Sequence, residues 1–130
     1  MSEFTPEDPT EWRPLTDQER ELLEALTSQD FTGAGDLRHQ IDYAQAQRGC
    51  NCGCGTIDLR VDRAHAPPAP LTRQPAPGEA NVVDDNGDTI AGLILFTNDG
   101  YLSSLEIYFA GDPLPLPELD RIRPYVISDG

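Results

Sequence analysis

Three cysteines lie two residues apart in the segment RGCNCGCGTIDLRV, residues 48–61. Cys50, Cys52 and Cys54 are the residue type that holds tetrahedral zinc, with a sulfur–metal distance of about 2.3 Å. A cysteine whose pKa is lowered is also a nucleophile or a redox group. The segment therefore has three interpretations: a zinc site, a reactive thiol, or the entrance of a strand where the thiols act as small buried side chains.

A zinc site would require the cysteine segment to fold back on itself. Side chains two residues apart on an extended strand stand nearly 7 Å from each other, which is too far for a shared tetrahedral ion. The intervening glycines permit a fold-back, and the fourth ligand would come from His39, His65 or a carboxylate. The candidate metal ligands are Cys50, Cys52, Cys54 and His39. Because the chain has no second cysteine pair, we expect no cofactor, with zinc binding as the alternative.

Thiol chemistry is disfavoured by the element predicted to precede the cysteines. The periodicity predicts a helix over residues 34–47, and the C-terminal end of a helix carries partial negative charge, which disfavours a thiolate. A redox or nucleophilic role of the cysteines remains the second form of the alternative.

A different candidate site is the predicted final strand of the sheet. Leu105, Ile107 and Phe109 alternate with Ser104, Glu106 and Tyr108, so one face of this strand is apolar and the other is polar. A charged side chain in the middle of a strand is costly unless it faces water or a partner. Glu106 and Tyr108 therefore mark a candidate partner-facing surface of the sheet.

The charge of the chain restricts its partners. Acidic side chains number 23 against nine basic ones, the net charge is −14, and every basic residue is arginine. A field of that sign repels nucleic acid and anionic membranes and favours a basic protein partner. The N-terminus lacks the basic and then apolar pattern of a signal peptide, and no apolar run approaches a membrane span, so we expect a cytoplasmic protein with reduced thiols.

The elements that must position these candidates begin with helices. Residues 1–14 are acidic and proline-bearing and are predicted to be a flexible lead-in to a single domain over residues 15–130. The TDQE motif at 16–19 is a capping box that predicts a helix start. Leu22, Leu23 and Leu26 supply its buried stripe, and residues 34–47 form the second predicted helix, which ends at Gly49.

Strands follow the cysteines. Ile57–Val61 alternates apolar and polar residues, residues 66–78 form a proline-rich loop, and residues 112–130 form an extended proline-rich tail. Between them, turns at Asn86-Gly87 and Asp99-Gly100 predict a three-stranded meander. The expected fold class is α+β, with two N-terminal helices followed by a four-stranded, mainly antiparallel sheet whose meander occupies the C-terminal half.

Several segments carry a resemblance to a known family. LRHQI, CNCGCGTIDLRV and ILFTNDGYLSSLEIYFAGDPLPLP together resemble a family of small bacterial, chiefly actinobacterial, proteins with a domain of unknown function. The resemblance covers about residues 20–118 and rests on a C-x-C-G-C segment and a D-G-x-L-x-x-L-E strand, which ends here at Glu106. It implies a bacterial, cytoplasmic setting and supplies no activity, cofactor or catalytic residue.

The expected function is therefore non-enzymatic binding. Size, acidity and the lack of a catalytic motif favour a small interaction protein, with neutralisation of a basic toxin, as in immunity proteins, as its most concrete form. The alternative is a zinc-binding or thiol-redox protein that uses the three cysteines. An exposed final strand would also suit edge-to-edge dimerisation, and the sequence leaves the oligomeric state open.

Overall fold

The computed structural model describes residues 11–49, 55–71, 76 and 78–126. Its helices are α1 (Asp17–Thr27) and α2 (Ala34–Gln40), with short 3₁₀ helices at Ile41–Tyr43 and Leu119–Arg121. Its strands are β1 (Arg13–Pro14), β2 (Ala44–Arg48), β3 (Ile57–Val61), β4 (Gly78–Val83), β5 (Thr89–Asn98), β6 (Tyr101–Phe109) and β7 (Ile122–Val126). No helix in these ranges is long and apolar enough to cross a membrane.

The strands form one seven-stranded sheet in the order β1-β2-β3-β6-β5-β4-β7, in which all neighbours are antiparallel. The fold remains α+β, but the prediction of two N-terminal helices followed by four strands is wrong. β1 precedes both helices, and β1, β2 and β7 are additional to the four predicted strands. These three strands depend on pairing with distant parts of the chain, which a local pattern does not reveal.

The second helix is shorter than predicted. It ends at Gln40, and residues 44–48 form β2 instead of continuing the helix to residue 47. Alanine and glutamine are good helix formers, but Ala44, Ala46 and Arg48 also alternate with glutamines at the period of a strand. Pairing with β1 on one side and β3 on the other selects the strand, and Ala46 becomes fully buried.

The start of α1 is as predicted. Thr16 is the N-cap, its hydroxyl accepts the Glu19 N–H at 3.1 Å, and the Glu19 carboxylate accepts the Thr16 N–H at 2.9 Å. This reciprocal pair satisfies two backbone donors that the helix itself leaves unpaired. The predicted stripe of Leu22, Leu23 and Leu26 is fully buried.

Both helices pack on one face of the sheet. α1 contacts β4 and β7, and α2 contacts β6. A Cβ added to Gly78 on this face would meet the Leu26 carbonyl at 2.5 Å, so the backbones of β4 and α1 approach closely there. The buried apolar residues of the sheet on the helix side include Ala80, Val82, Leu93, Leu95, Leu105 and Ile107. The core therefore lies between the helices and this face of the sheet, and it also includes Ala46, Ile57, Leu59 and Ile122 from β2, β3 and β7.

The meander is confirmed, with both turns where the sequence predicts them. Asp99 and Gly100 have φ values of +55° and +85°, the two positive values that a tight two-residue hairpin requires, and Gly87 has a φ of +85° in the other turn. β6 pairs with β5 along most of its length and with β3 at its other side. β6 therefore lies in the middle of the sheet, and its backbone cannot serve as an edge for dimerisation; the edges are β1 and β7.

Candidate functional site

The predicted surface residues Glu106 and Tyr108 share the sheet face opposite the helices. Glu106 lies beside Ile94 and Tyr108 lies beside Gly92 in the neighbouring strand β5. Glu106 is half-buried, and the Ser104 hydroxyl lies 3.2 Å from its carboxylate as a donor. Tyr108 is 48% exposed, so it is the side chain of the pair that a partner reaches most easily.

The Tyr108 ring lies directly over Gly92. A Cβ on Gly92 would stand 2.2 Å from the ring carbon that bears the hydroxyl, too close for two non-bonded atoms unless the ring moves. Glycine at this position of a central strand is therefore explained by the close approach of an aromatic ring. Glycine at position 92 leaves room for the Tyr108 ring at this place on the face.

Beside Tyr108 lies a carboxylate that the sequence did not single out. Glu79 in β4 is only 6% exposed, and its carboxylate accepts the hydroxyl of Tyr125 in β7 at 2.8 Å. The hydrogen bond to Glu79, followed by burial and the nearby charge of Glu79, raises the pKa of Tyr125 to about 12. Glu79 and Tyr125 are neighbours only because β4 and β7 pair, a contact between residues 46 positions apart in the chain.

His39 lies on a different part of the surface. Its ring lies 5.5 Å from the ring of Tyr43, which stacks in turn on His65 at 5.5 Å. His65 Nδ1 lies 2.8 Å from the Asp62 carboxylate. That hydrogen bond, followed by one from the Ala64 N–H, holds the pKa of Asp62 below its ordinary value. The two histidines thus flank one exposed tyrosine, and these ring contacts connect the end of α2 to the loop after β3.

Cys50, Cys52 and Cys54 lie outside the described residues, so the zinc and thiol interpretations stay predictions. Two observations on residues near the cysteines in the sequence concern these interpretations. The preceding element is the strand β2, so the argument from a helix C-terminus does not apply. His39 precedes β2 and the cysteines follow it, and about 13 Å of strand separates the ends of β2.

In the described part of the chain, no cluster of three or more histidine, cysteine or acidic side chains could hold a metal ion. The contact observed for His39 within these ranges is the one with the Tyr43 ring.

A cleft of about 420 Å³ opens at the end of the sheet where β4 and β6 finish and β5 and β7 begin. Its apolar surface comes from Val82, Val83, Ile90 and Ile107 of the strands and from Leu114–Pro117 of the following segment. Asp84, Asp85, Glu118 and Arg121 complete the lining. We call this site the acidic cleft.

The end of the sheet that carries the acidic cleft also gathers acidic residues. The β4–β5 turn and the segment between β6 and β7 both lie there because neighbouring strands are antiparallel. We call this region the acidic end; its carboxylates are those of Asp84, Asp85, Asp88, Asp112, Glu118 and Asp120. In the sequence these residues belong to a predicted turn and to a predicted tail, and only the strand order brings the two segments together.

Several arginines are held by contacts within the chain. Arg13 pairs with Glu19, Arg20 with Asp42 and Glu24, Arg63 with Asp99, and Arg121 with Asp85. Arg60 lies 4.6 Å from the ring centroid of Trp12 and donates to Gln45. These arginines therefore neutralise acidic side chains close to them, and the excess of acidic groups remains at the surface.

Comparison of the chain with protein-family models, with curated proteins and with solved structures gave no match.

Proposed function

We propose that this chain is a non-enzymatic binding protein whose partner is a basic protein, and that neutralisation of a basic toxin is the most concrete form of this role. The observation that carries the proposal is the acidic end, where carboxylates from two distant segments surround an apolar cleft. An apolar surface provides binding free energy when it is covered, while the surrounding charge speeds encounter and rejects acidic partners.

The distribution of charge supports this role better than the total charge does. A net charge of −14 by itself explains solubility and names no ligand. At the acidic end, however, Arg121 is the paired cation of the cleft lining, and it is held by Asp85. A basic surface docked there would meet the remaining carboxylates, and docking itself would remove water from the ion pairs that form and so strengthen them.

The test compares two variants of equal charge. In Asp85→Asn/Glu118→Gln the rim of the cleft loses two charges, and in the control Asp30→Asn/Asp99→Asn two exposed carboxylates elsewhere are lost. Each double variant also removes one exposed arginine pair, because Asp85 pairs with Arg121 and Asp99 with Arg63. The two therefore differ in the place of the lost charge and not in its amount.

The full-length chain and both variants are immobilised and used to capture proteins from the native host at about 0.05 M and about 0.5 M salt. We expect wild type and the control to capture the same basic protein, and the rim variant to capture about tenfold less at low salt. Capture that is equal for all three chains, or that does not weaken with salt, would contradict the proposal.

A further inference from the structure

The floor of the acidic cleft is made by apolar strand residues at the end of the core. Val82 and Ile107 lie on the helix side of the sheet and are nearly fully buried, whereas Ile90 at the start of β5 is 43% exposed. An isoleucine side chain that is half in water at the mouth of an apolar cleft gains free energy when a further apolar group covers it. The cleft therefore offers an apolar contact that extends from the core to the surface.

The opposite wall of the acidic cleft is fixed by hydrogen bonds within the chain, without a ligand. It is formed by Leu114–Pro117, where the prolines lack backbone N–H groups and restrict φ. The Leu114 carbonyl accepts the Gly55 N–H at 2.8 Å, and the side-chain amide of Gln18 donates to the Leu116 and Pro117 carbonyls at 2.9 and 2.8 Å. A wall fixed both from the segment before β3 and from α1 costs little ordering entropy on binding.

The rim of the cleft carries the charge. Asp84 and Asp85 stand at the β4–β5 turn and Glu118 stands at the other side, while Arg121 reaches across to Asp85. Both partners of that pair are exposed, by 40% and 87%, so the pair contributes little stability and a competing cation can replace Arg121 at small cost. The rim thus places carboxylates that can pair with a cation beside the apolar surface of the cleft.

We propose that the acidic cleft binds an extended segment of the partner protein in which a large apolar side chain stands beside arginine or lysine. The apolar side chain packs on Ile90 and the Leu114–Pro117 wall, and the cation pairs with Asp85 or Glu118. This inference rests on the proposed function and specifies the part of the partner that is recognised. The volume of about 420 Å³ lies within the range of ligand clefts, about 300–1,000 Å³.

Charge argues against a second copy of this chain as the occupant. Each copy carries −14, so two acidic ends would be brought together or an acidic surface would be placed on an acidic rim. A membrane with anionic headgroups is disfavoured for the same reason. A basic protein segment is the occupant whose charge complements the rim and whose apolar side chain complements the floor.

The experiment titrates ¹⁵N-labelled full-length chain with capped eight-residue peptides and follows its amide resonances. The probe alternates arginine and leucine; one control alternates glutamate and leucine, and the other alternates arginine and serine. We expect the arginine–leucine peptide to shift the amides of Val83, Ile90, Leu114 and Leu116 and to bind at least about tenfold more tightly than either control. About 0.5 M salt should weaken that binding several-fold.

Two variants distinguish binding in the acidic cleft from nonspecific binding to other exposed apolar residues. Ile90→Ser removes the exposed apolar contact of the cleft, and we expect it to weaken binding of the arginine–leucine peptide by about tenfold. Val126→Ser removes a similarly exposed strand residue at the opposite end of the sheet, where Val126 pairs with Gly78, and we expect it to leave binding unchanged. Both positions are at the surface, so both variants should fold.

Several outcomes would overturn the inference. One is that the amide shifts centre on Glu106 and Tyr108 instead of the cleft, and another is that the glutamate–leucine peptide binds equally well. The inference also fails if millimolar peptide causes no shifts, or if the chain associates with itself through the cleft as its concentration rises. If partner capture depends on Asp85 and Glu118 while the peptide does not bind the cleft, the inference fails and the proposed function stands. If the peptide binds the cleft while capture is independent of the rim charges, the proposed function fails and the cleft remains a peptide site.

Discussion

Arg13 and Glu19 form a bidentate ion pair that fastens the first strand of the sheet to the first helix. The two terminal guanidinium nitrogens of Arg13 each donate to one carboxylate oxygen of Glu19 at 2.8 Å. The Glu19 side chain is only 6% exposed, and the same carboxylate also accepts the Thr16 N–H of the capping box. One carboxylate therefore completes both the start of α1 and the attachment of β1.

Glu19→Gln should lower the free energy of unfolding by about 2 kcal/mol at pH 7, because the substitution leaves the Arg13 guanidinium without its charge partner. Chemical denaturation measures this loss. Glu24→Gln is the matched control, since its pair with Arg20 is exposed at both ends, and we expect a change below about 0.5 kcal/mol. An equal loss in both variants would contradict a special role of Glu19.

The same pair makes a prediction for pH. Burial alone would raise the pKa of Glu19, but hydrogen bonds from Arg13 and Thr16 outweigh it, and the pKa lies below the ordinary 4.5. A lowered carboxylate pKa stabilises the fold above the unfolded value and loses that contribution as the pH falls through the folded value. The stability difference between wild type and Glu19→Gln should therefore be constant above about pH 5 and shrink below about pH 4. A difference that grows in acid would contradict this assignment.

Gln40 should be the most costly polar residue to replace in α2. It is fully buried, its amide donates to the Pro67 and Gly100 carbonyls at 3.1 and 2.9 Å, and its oxygen accepts the Leu102 N–H at 2.9 Å. Gln40→Met keeps the approximate shape but removes three hydrogen bonds, including the one that the buried Leu102 N–H donates, so we expect a loss of about 3 kcal/mol. Faster hydrogen exchange of the Leu102 amide would identify the broken contact.

The control for Gln40 is Gln47→Met in β2. Gln47 is half-buried, and we expect its replacement to change the stability by less than about 1 kcal/mol. Similar losses at the two positions would show that the three hydrogen bonds of Gln40 contribute nothing beyond ordinary packing.

Gly92→Ala should destabilise the sheet by about 1 kcal/mol, because the added methyl group forces the half-exposed Tyr108 ring out of its present rotamer. Gly35→Ala in α2 is the control: its Cβ would meet no atom within 4 Å, and alanine favours the helix, so we expect no loss or a gain of up to about 1 kcal/mol. The double variant Gly92→Ala/Tyr108→Ala should recover part of the loss, as a double-mutant cycle measures. Strict additivity would contradict the contact between ring and backbone.

Tyr125→Phe should alter the stability of the chain in alkali. The pKa of Tyr125 is raised from 10 to about 12 in the folded state, so its contribution is present below pH 10 and is lost as the pH rises toward 12. Wild type should therefore lose stability over this range more steeply than Tyr125→Phe. Equal alkaline slopes, measured by denaturation at several pH values, would show that Glu79 does not hold the phenol.

Elements whose causes are local could be predicted from the residues alone. The capping box at Thr16 and Glu19, the leucine stripe of α1 and the turns at Asn86-Gly87 and Asp99-Gly100 depend on residues within a few positions of one another, and all are found where they were predicted. The net negative charge also followed from the sequence, because charge is a property of composition. The family resemblance and the role of the cysteines stay predictions.

Elements that depend on partners elsewhere in the chain became evident from the folded structure. Residues 44–48 fit a helix and a strand almost equally well, and their pairing with β1 and β3 made them a strand. The position of β6 in the middle of the sheet, the contact of Glu79 with Tyr125 and the acidic cleft all arise from the strand order. The physical reason is that backbone hydrogen bonds between strands join residues far apart in the chain, so no local pattern contains them.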